Sequence, residues 1–188
     1  MGMAAPIDFH TADMVRVLNE RAPGNWPRYE TAYGELLVSP APRAWHQEIV
    51  RRLLLSLSRY LEVERVGHPF ASPADISWGL RNVLLQPDVF VVPMASARSL
   101  DWSQMRKLLL AVEVTSPSSA RADRFTKRLI HQARGTECYW VVDPDSRAAE
   151  VWHPGDLSPQ ISSEQLIWEP RGAVAPFVMP LAELFEPV

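Results

Sequence analysis

The amino-acid sequence predicts an α/β fold with a mixed central β-sheet flanked by helices. Two segments, Lys107–Thr115 and Glu137–Val142, are nearly continuous apolar runs rich in branched and aromatic residues, which is typical of strands buried on both faces. The segment between them has the pattern of a helix, so we expect a right-handed parallel crossover. Hairpin patterns elsewhere predict antiparallel strands, and the two kinds of pairing together make the sheet mixed.

The first third of the chain predicts a helix, a hairpin and a second, longer helix. Thr11–Ala22 begins with an N-cap residue and is followed by a Pro-Gly-Asn turn. Arg28–Ser39 predicts a short hairpin that turns at Tyr33-Gly34. Arg43–Glu62 predicts the longest helix, because its apolar residues recur every three or four positions and line one face: Ile49, Leu53, Leu54, Leu57 and Leu61.

The remaining two-thirds of the chain predict mainly strands. Outside the two buried ones, the expected strands are Val63–Phe70, Asp75–Trp78, Val83–Val92, Ala149–His153 and Ile161–Trp168. The strand Val83–Val92 is interrupted by Pro87-Asp88. A short turn is expected at Leu100–Gln104, and a terminal helix is expected at Leu181–Phe185. The helix of the crossover takes Ser118 or Ser119 as its N-cap and ends at Gly135.

Length and composition predict one domain, residues 1–188, with a core over residues 28–153 and an N-terminal helix and a C-terminal extension around it. No apolar run approaches the ~18 residues that a bilayer span needs, and no signal-peptide pattern is visible. The single Cys138 cannot form an internal disulfide or a cysteine-based zinc site. We therefore expect a protein of the reducing cytoplasm.

The net charge of −3 argues against a protein covered with positive charge. It is compatible with a nucleic-acid substrate, because the acidic residues of a nuclease metal site offset a local basic face. A basic group lies along the predicted crossover helix, and it comprises Arg121, Arg124, Lys127, Arg128 and Arg134. A solvated helix face is the simpler interpretation of such charges, and a position beside a catalytic site is the alternative.

Two carboxylates, Asp88 and Glu113, lie inside apolar strand patterns. A buried carboxylate is unfavourable unless it is paired or bound to a metal, and two of them on neighbouring strands would also repel each other. A divalent cation removes both costs, and Mg²⁺ or Mn²⁺ prefers hard oxygen ligands. A salt bridge to a nearby Lys or Arg would explain either acid alone, whereas the pair favours a metal site.

Lys127 follows Asp123 by one helical turn. The simpler interpretation is a surface pair of small energetic value. In the functional interpretation, Lys127 points at the two carboxylates and holds the scissile phosphate or orients the attacking water.

Several motifs occur together in an order and spacing that resemble one protein family. They are Tyr29-Glu30, Gly34-Glu35-Leu36, Ser39-Pro40, His46, Pro87-Asp88, Glu113-Val114-Thr115-Ser116-Pro117, Asp123-x-x-x-Lys127 and Glu137-Cys-Tyr139-Trp140-Val-Val-Asp143-Pro144. The family is the Uma-type family of "putative restriction endonucleases", within the PD-(D/E)XK nuclease superfamily. The resemblance spans residues 29–144.

The resemblance implies a restriction-endonuclease-like core of the order α-β-β-β-α-β. It also implies a divalent metal, Mg²⁺ or Mn²⁺, held by Asp88 and Glu113, with a contribution from Glu35. The lysine that usually stands two places after the glutamate would fall on Thr115, and in this family Lys127 on the next helix takes its place. The implied substrate is nucleic acid, with DNA expected before RNA.

The sequence departs from the family pattern at Tyr33, which stands in place of an acid, and at His131, which stands in place of a tyrosine. It also departs after the helix, where Gly-Val-x-Glu-Tyr-Trp is replaced by Gly135-Thr-Glu137-Cys-Tyr139-Trp140. His131 can substitute as a polar partner or as a phosphate contact. Thr115, Arg124 and His46 are further candidates for contact with substrate. For His46, which opens the long helix, a structural hydrogen bond is the alternative.

Two functional hypotheses follow from these patterns. The first is a metal-dependent endonuclease that hydrolyses DNA phosphodiester bonds with Asp88, Glu113 and Lys127. The second is a non-catalytic binding or accessory module that keeps the nuclease fold and is associated with mobile elements or defence. Because the apolar C-terminal strands can extend into a partner, and twofold symmetry is the commonest oligomeric arrangement, we expect a homodimer.

Overall fold

The structure is a computed structural model and describes residues 9–188. Its strands, in chain order, are β1 Arg28–Ala32, β2 Glu35–Ser39, β3 His68–Ala71, β4 Val83–Leu84, β5 Val89–Val92, β6 Leu110–Val114, β7 Tyr139–Asp143, β8 Ala148–Trp152, β9 Gln160–Ser162, β10 Gln165–Trp168 and β11 Phe177–Pro180. Its α-helices are α1 Ala12–Arg21, α2 Ala44–Glu64, α3 Met94–Ala97, α4 Arg128–Ala133 and α5 Leu181–Leu184. Short 3₁₀ turns lie at Pro23–Asn25 and Trp102–Gln104, and a π-helical segment, Ala122–Lys127, leads directly into α4. Among the described residues, no helix is both long and apolar enough to cross a bilayer.

A six-stranded sheet of order β3-β5-β6-β7-β8-β9 forms the centre of the fold. Strands β6 and β7 are parallel, while the other neighbours in this sheet pair antiparallel. The parallel pair is joined through the π-helical segment and α4, as the apolar runs on either side of a helix pattern predict. The predicted mixed sheet with flanking helices is therefore confirmed.

The two faces of the central sheet are covered by different layers. On one face the apolar stripe of α2, which includes Ile49, Leu53 and Leu57, packs on alternate residues of β5, β6 and β7. On the other side, a three-stranded sheet of order β2-β1-β4 packs on α4, where Ala32, Val83 and Leu85 surround the fully buried Ile130. The small sheet and the π-helical segment both contribute side chains to one cleft beside β5 and β6.

The predicted strand Val83–Val92 is divided into two short strands that belong to different sheets. Residues Val83–Leu84 pair with β1, whereas Val89–Val92 pair with β3 and β6. Pro87 lies between them, and its missing N–H and fixed φ are poorly suited to a continuous central strand. The break matters for the site, because it places Asp88 at the start of β5.

Three other predicted strands differ from the observed ones. The helix α2 continues to Glu64, so only the end of Val63–Phe70 is extended, and Val63 points outwards from the helix with 77% exposure. The predicted strand Asp75–Trp78 is reduced to a single bridge between Ile76 and Leu85. The segment Ile161–Trp168 turns midway, so that β9 joins the central sheet and β10 pairs with β11 instead.

Candidate active site

A cleft of about 300 Å³ lies beside the start of β5 and the end of β6. The first turn of α2 and the loop that precedes it form one wall, and the π-helical segment forms another. Titratable side chains concentrate in its walls, among them Arg28, Glu30, His46, Asp88, Glu113, Asp123 and Lys127.

Sheet register brings Asp88 and Glu113 together. Strands β5 and β6 are antiparallel, with Val89 opposite Val112. Asp88, just before Val89, therefore lies opposite Glu113, just after Val112. The side chains of both residues point to the same face of the sheet as that of Phe90, which is the face away from α2. The backbone N–H of Val114 donates a hydrogen bond to Asp88 Oδ2 over 2.8 Å, which fixes this carboxylate at the end of the strand.

Two basic side chains approach the Asp88 carboxylate. His46 Nε2 lies 3.2 Å from Oδ2, and Arg28 Nη1 lies 3.7 Å from Oδ1. Burial alone would raise the pKa of Asp88, yet the contact with His46 and the Val114 N–H hold that pKa below its ordinary value. In turn, Asp88 raises the pKa of His46 although burial of the imidazole opposes this. Asp88 is therefore an ionised carboxylate at neutral pH.

Lys127 lies at the centre of a group of three carboxylates. Its Nζ is 2.8 Å from Glu30 Oε2, 3.2 Å from Asp123 Oδ1 and 3.3 Å from Glu113 Oε1. The side chain is only 5% exposed, and its ammonium donates a hydrogen bond to Glu113 Oε1. Glu30 is itself fixed, since its Oε1 accepts the backbone N–H of Gln86 over 2.7 Å.

The cluster holds more buried negative charge than Lys127 neutralises. Burial raises the pKa of Glu113 well above its ordinary value, even though the Lys127 ammonium lowers it. Burial likewise raises the pKa of Asp123, and the charges of Asp88 and Glu30 add to that effect. Such a set of acids is stabilised either by proton uptake or by a further cation.

The π-helical segment sets the positions of Asp123 and Lys127. In a π-helix the hydrogen bonds span five residues, as in the bond from the Arg128 N–H to Asp123 O, and the turn is wider than in an α-helix. Residues four apart then lie nearly above one another, so both side chains enter the cleft. The hydroxyl of Tyr139 on β7 also donates to Asp123 O over 2.8 Å and anchors the segment to the sheet.

The structure brings five of the predicted site residues to the cleft. Asp88, Glu113, Lys127, His46 and Thr115 all line it. Thr115, at the place where a lysine was expected from the superfamily pattern, donates its backbone N–H to Val142 O and brings no charge to the site.

Three predicted site residues lie outside the cleft. Glu35 is exposed at the start of β2, beyond the hairpin turn. Arg124 points away and forms ion pairs with Asp143 and Glu150 at 2.7 and 2.6 Å. His131 has no exposed surface and stacks on Tyr139 with ring centroids 4.7 Å apart, so it contacts the core and not the cleft.

Glu30 was part of the motif Tyr29-Glu30 but was given no role in the site, and Arg28 was not singled out; both reach the site from β1. In a strand, residues 28, 30 and 32 share one face, and only Ala32 of these three is apolar. The periodicity therefore gave no sign that this face is buried. The acid that the resemblance favoured, Glu35, lies on the other strand of the same hairpin.

The donor chemistry of the cleft fits a divalent cation. Within residues 9–188, no three His, Cys, Asp or Glu side chains are arranged as a ready-made metal site. Magnesium nevertheless is commonly held by one or two carboxylates and completed by water and phosphate oxygens. Asp88 and Glu113 offer two such carboxylates on rigid strands, in a cluster with uncompensated negative charge.

Comparison with known proteins gives the family of the chain. A crystal structure of a "putative nuclease belonging to DUF820" from Anabaena variabilis superimposes with a TM-score of 0.76 at 18% sequence identity, covering 94% of this chain and 97% of that chain. At this identity the likeness shows the fold. A search of curated protein sequences found no match. The family model Uma2, described as "putative restriction endonuclease", matches residues 18–176, and the chain therefore belongs to the Uma2 family.

Proposed function

We propose that the protein is a metal-dependent endonuclease that hydrolyses phosphodiester bonds of nucleic acid, with DNA as the substrate class. The observation that carries the proposal is the meeting of Asp88, Glu113 and Lys127 in one solvent-connected cleft. The description of the Uma2 family supports the same class of reaction. The reaction is the attack of water on phosphorus with departure of a sugar oxygen.

Asp88 and Glu113 are the residues that would hold a divalent cation, for which Mg²⁺ and Mn²⁺ are the candidates. When bound, such an ion supplies an activated water and neutralises charge on the phosphate oxygens. The chain's own contribution is to fix both carboxylates and to keep Asp88 ionised. The Val114 N–H fixes Asp88, and the Lys127 ammonium lowers the pKa of Glu113 against the effect of burial.

The role of Lys127 in this reaction is electrostatic. With Glu30, Asp123 and Glu113 around its ammonium, the lysine remains charged, and its pKa lies well above the ordinary value although burial opposes this. It therefore cannot act as a general base at neutral pH. A fixed positive charge beside the carboxylates stabilises the negative charge that develops on the phosphorane-like transition state.

A cleavage assay tests the proposal. Supercoiled plasmid and single-stranded circular DNA are incubated with the full chain in Mg²⁺ or Mn²⁺ and, in parallel, in EDTA. We expect nicked or linear products only with the divalent cation. The variant Asp88→Asn keeps the shape of the side chain and an acceptor for the Val114 N–H but removes the charge, so cleavage should fall by about a hundredfold to a thousandfold.

A matched control separates the effect of the Asp88 charge from that of removing any one negative charge from the protein. Asp13 on α1 is exposed, with 86% of its side chain accessible, and its ion pair is with the neighbouring Arg16. Asp13→Asn should cleave at the wild-type rate. Cleavage that survives Asp88→Asn, or that is insensitive to EDTA, contradicts the metal-dependent assignment. Binding of DNA without cleavage by the wild type in either metal would favour the non-catalytic module instead.

A further inference from the structure

The arrangement around Lys127 leaves a question about which group binds the substrate's phosphate. The ammonium lies within 3.3 Å of three carboxylates of the chain itself and donates a hydrogen bond to Glu113 Oε1. The side chain is 5% exposed, so a phosphate cannot reach it without displacing one of these acids. Direct contact with the phosphate backbone is therefore left to other groups of the cleft.

Arg28 has the position and the free donors for this role. It lines the cleft with 15% of its side chain exposed, and its guanidinium lies 4.9 Å from the centre of the Trp26 ring, which holds it in place. Its approach to Asp88 Oδ1 is 3.7 Å, which is an ion pair but too long for a hydrogen bond. Within residues 9–188, the guanidinium donates no hydrogen bond, although it carries five N–H groups.

The first turn of α2 provides a second, independent feature of the same wall. Its N-cap, Arg43, makes no side-chain capping bond. Among the described residues, no acceptor is bonded to the backbone N–H groups of Ala44, Trp45 and His46. A helix of 21 residues with free N–H groups at its start is a favourable place for an anion. His46 and Arg28 lie within 4 Å of different oxygens of the Asp88 carboxylate, so the two features meet at the same acid.

We propose that Arg28 and the uncapped first turn of α2 bind a phosphate of the nucleic-acid backbone beside Asp88. The inference rests on the proposed function and adds the residues that hold its substrate. The planar guanidinium forms two parallel hydrogen bonds to a phosphate, and the free N–H groups of the helix add further donors. In this arrangement Lys127 organises the carboxylates, whereas Arg28 holds the substrate.

The test measures DNA binding as a function of salt. A fluorescein-labelled DNA duplex is titrated with the full-length protein in Ca²⁺ at several KCl concentrations, with binding followed by anisotropy and DNA integrity checked on gels. Arg28→Gln should weaken binding by about tenfold, as expected for loss of charged hydrogen bonds. The slope of log K against log salt should become less steep by about one, since one phosphate contact is lost.

Two further variants make the result decisive. Arg28→Lys keeps the charge but loses the planar fork, so its salt slope should equal that of the wild type while its affinity is lower. If Arg28→Gln does not fold, as judged by circular dichroism, Arg28→Lys carries the test alone. Arg59→Gln, an exposed arginine of α2 about three turns beyond the cleft, should bind like the wild type.

The outcomes distinguish the inference from the proposed function. A wild-type protein that binds and cleaves DNA, together with Arg28 variants of unchanged affinity, overturns the role of Arg28 and leaves the nuclease assignment intact. A wild-type protein that neither binds nor cleaves DNA overturns both. If Arg59→Gln reduces affinity and slope as much as Arg28→Gln, the phosphate contacts are spread over the surface and the inference is also wrong.

Discussion

Lys127→Met is expected to lower the free energy of unfolding at neutral pH by about 3–5 kcal/mol, as removal of one partner from a buried ionic cluster does. The substitution leaves Glu30, Asp123 and Glu113 without the ammonium that now lies within 3.3 Å of each of them. Their remaining options are proton uptake or structural opening. Urea unfolding of the wild type and of the variant measures the loss of unfolding free energy, provided that the two proteins have the same m-value.

The loss should depend on pH and on divalent cations. Burial already raises the pKa values of Glu113 and Asp123 in the folded chain, and loss of Lys127 raises them further. A carboxyl whose folded pKa is raised stabilises the fold below its unfolded pKa and loses that contribution as pH rises through the folded pKa. The deficit of Lys127→Met should therefore shrink as pH is lowered from 7 towards 5. Mg²⁺ should also recover part of the deficit, because an ion that binds only the folded cluster stabilises it.

Lys107→Met is the matched control for Lys127. Lys107 also forms one short ion pair, 2.7 Å to Glu137, but 59% of its side chain is exposed. A solvent-exposed pair contributes about 0–1 kcal/mol, so this variant should unfold almost like the wild type. Equal stabilities of the two lysine variants would contradict the view that Lys127 neutralises a buried acidic cluster.

The sequence predicted the central layers well because periodicity reports burial directly. The stripe of α2 and the apolar runs of β6 and β7 are buried on the faces that their spacing indicates. The predictions failed where a strand ends inside an apolar run. Leu84 and Val89 have similar surroundings in the sequence, yet they belong to different sheets. Pro87 marks the break between them, but pairing partners far apart in sequence decide which sheet each segment joins.

Site residues could be predicted from the sequence where a charged residue stands inside a segment that is otherwise apolar. Asp88 and Glu113 stood out because each is an acid inside an apolar strand, and they lie on neighbouring strands in the structure. Glu30 did not stand out, because Tyr29 and Thr31 beside it do not look like a buried strand. Its burial to 1% exposure is a tertiary effect, since its contacts are with Lys127 of the π-helical segment and with the Gln86 N–H.

His131 is expected to make the folded state less stable in mild acid. The buried imidazole is fully desolvated and also repelled by the charge of Lys127, and together these lower its pKa to about 3. In the unfolded chain a histidine binds a proton near pH 6.5. Below that pH the unfolded state therefore binds more protons than the folded state, and stability falls as pH decreases towards 3. The loss between pH 7 and pH 4 amounts to about 3 kcal/mol from this one group.

His131→Phe isolates this contribution, since it keeps an aromatic ring against Tyr139 but removes the titrating nitrogen atoms. Its unfolding free energy should fall less steeply between pH 6.5 and pH 4 than that of the wild type, by up to about 1.4 kcal/mol per pH unit. Thr136→Val serves as the control, because it removes the hydroxyl 3.0 Å from His131 Nδ1 and keeps the imidazole. It should lower stability at every pH while retaining the wild-type slope. Parallel curves for the wild type and His131→Phe would mean that the imidazole takes up its proton in the folded chain, which would contradict a fully desolvated His131.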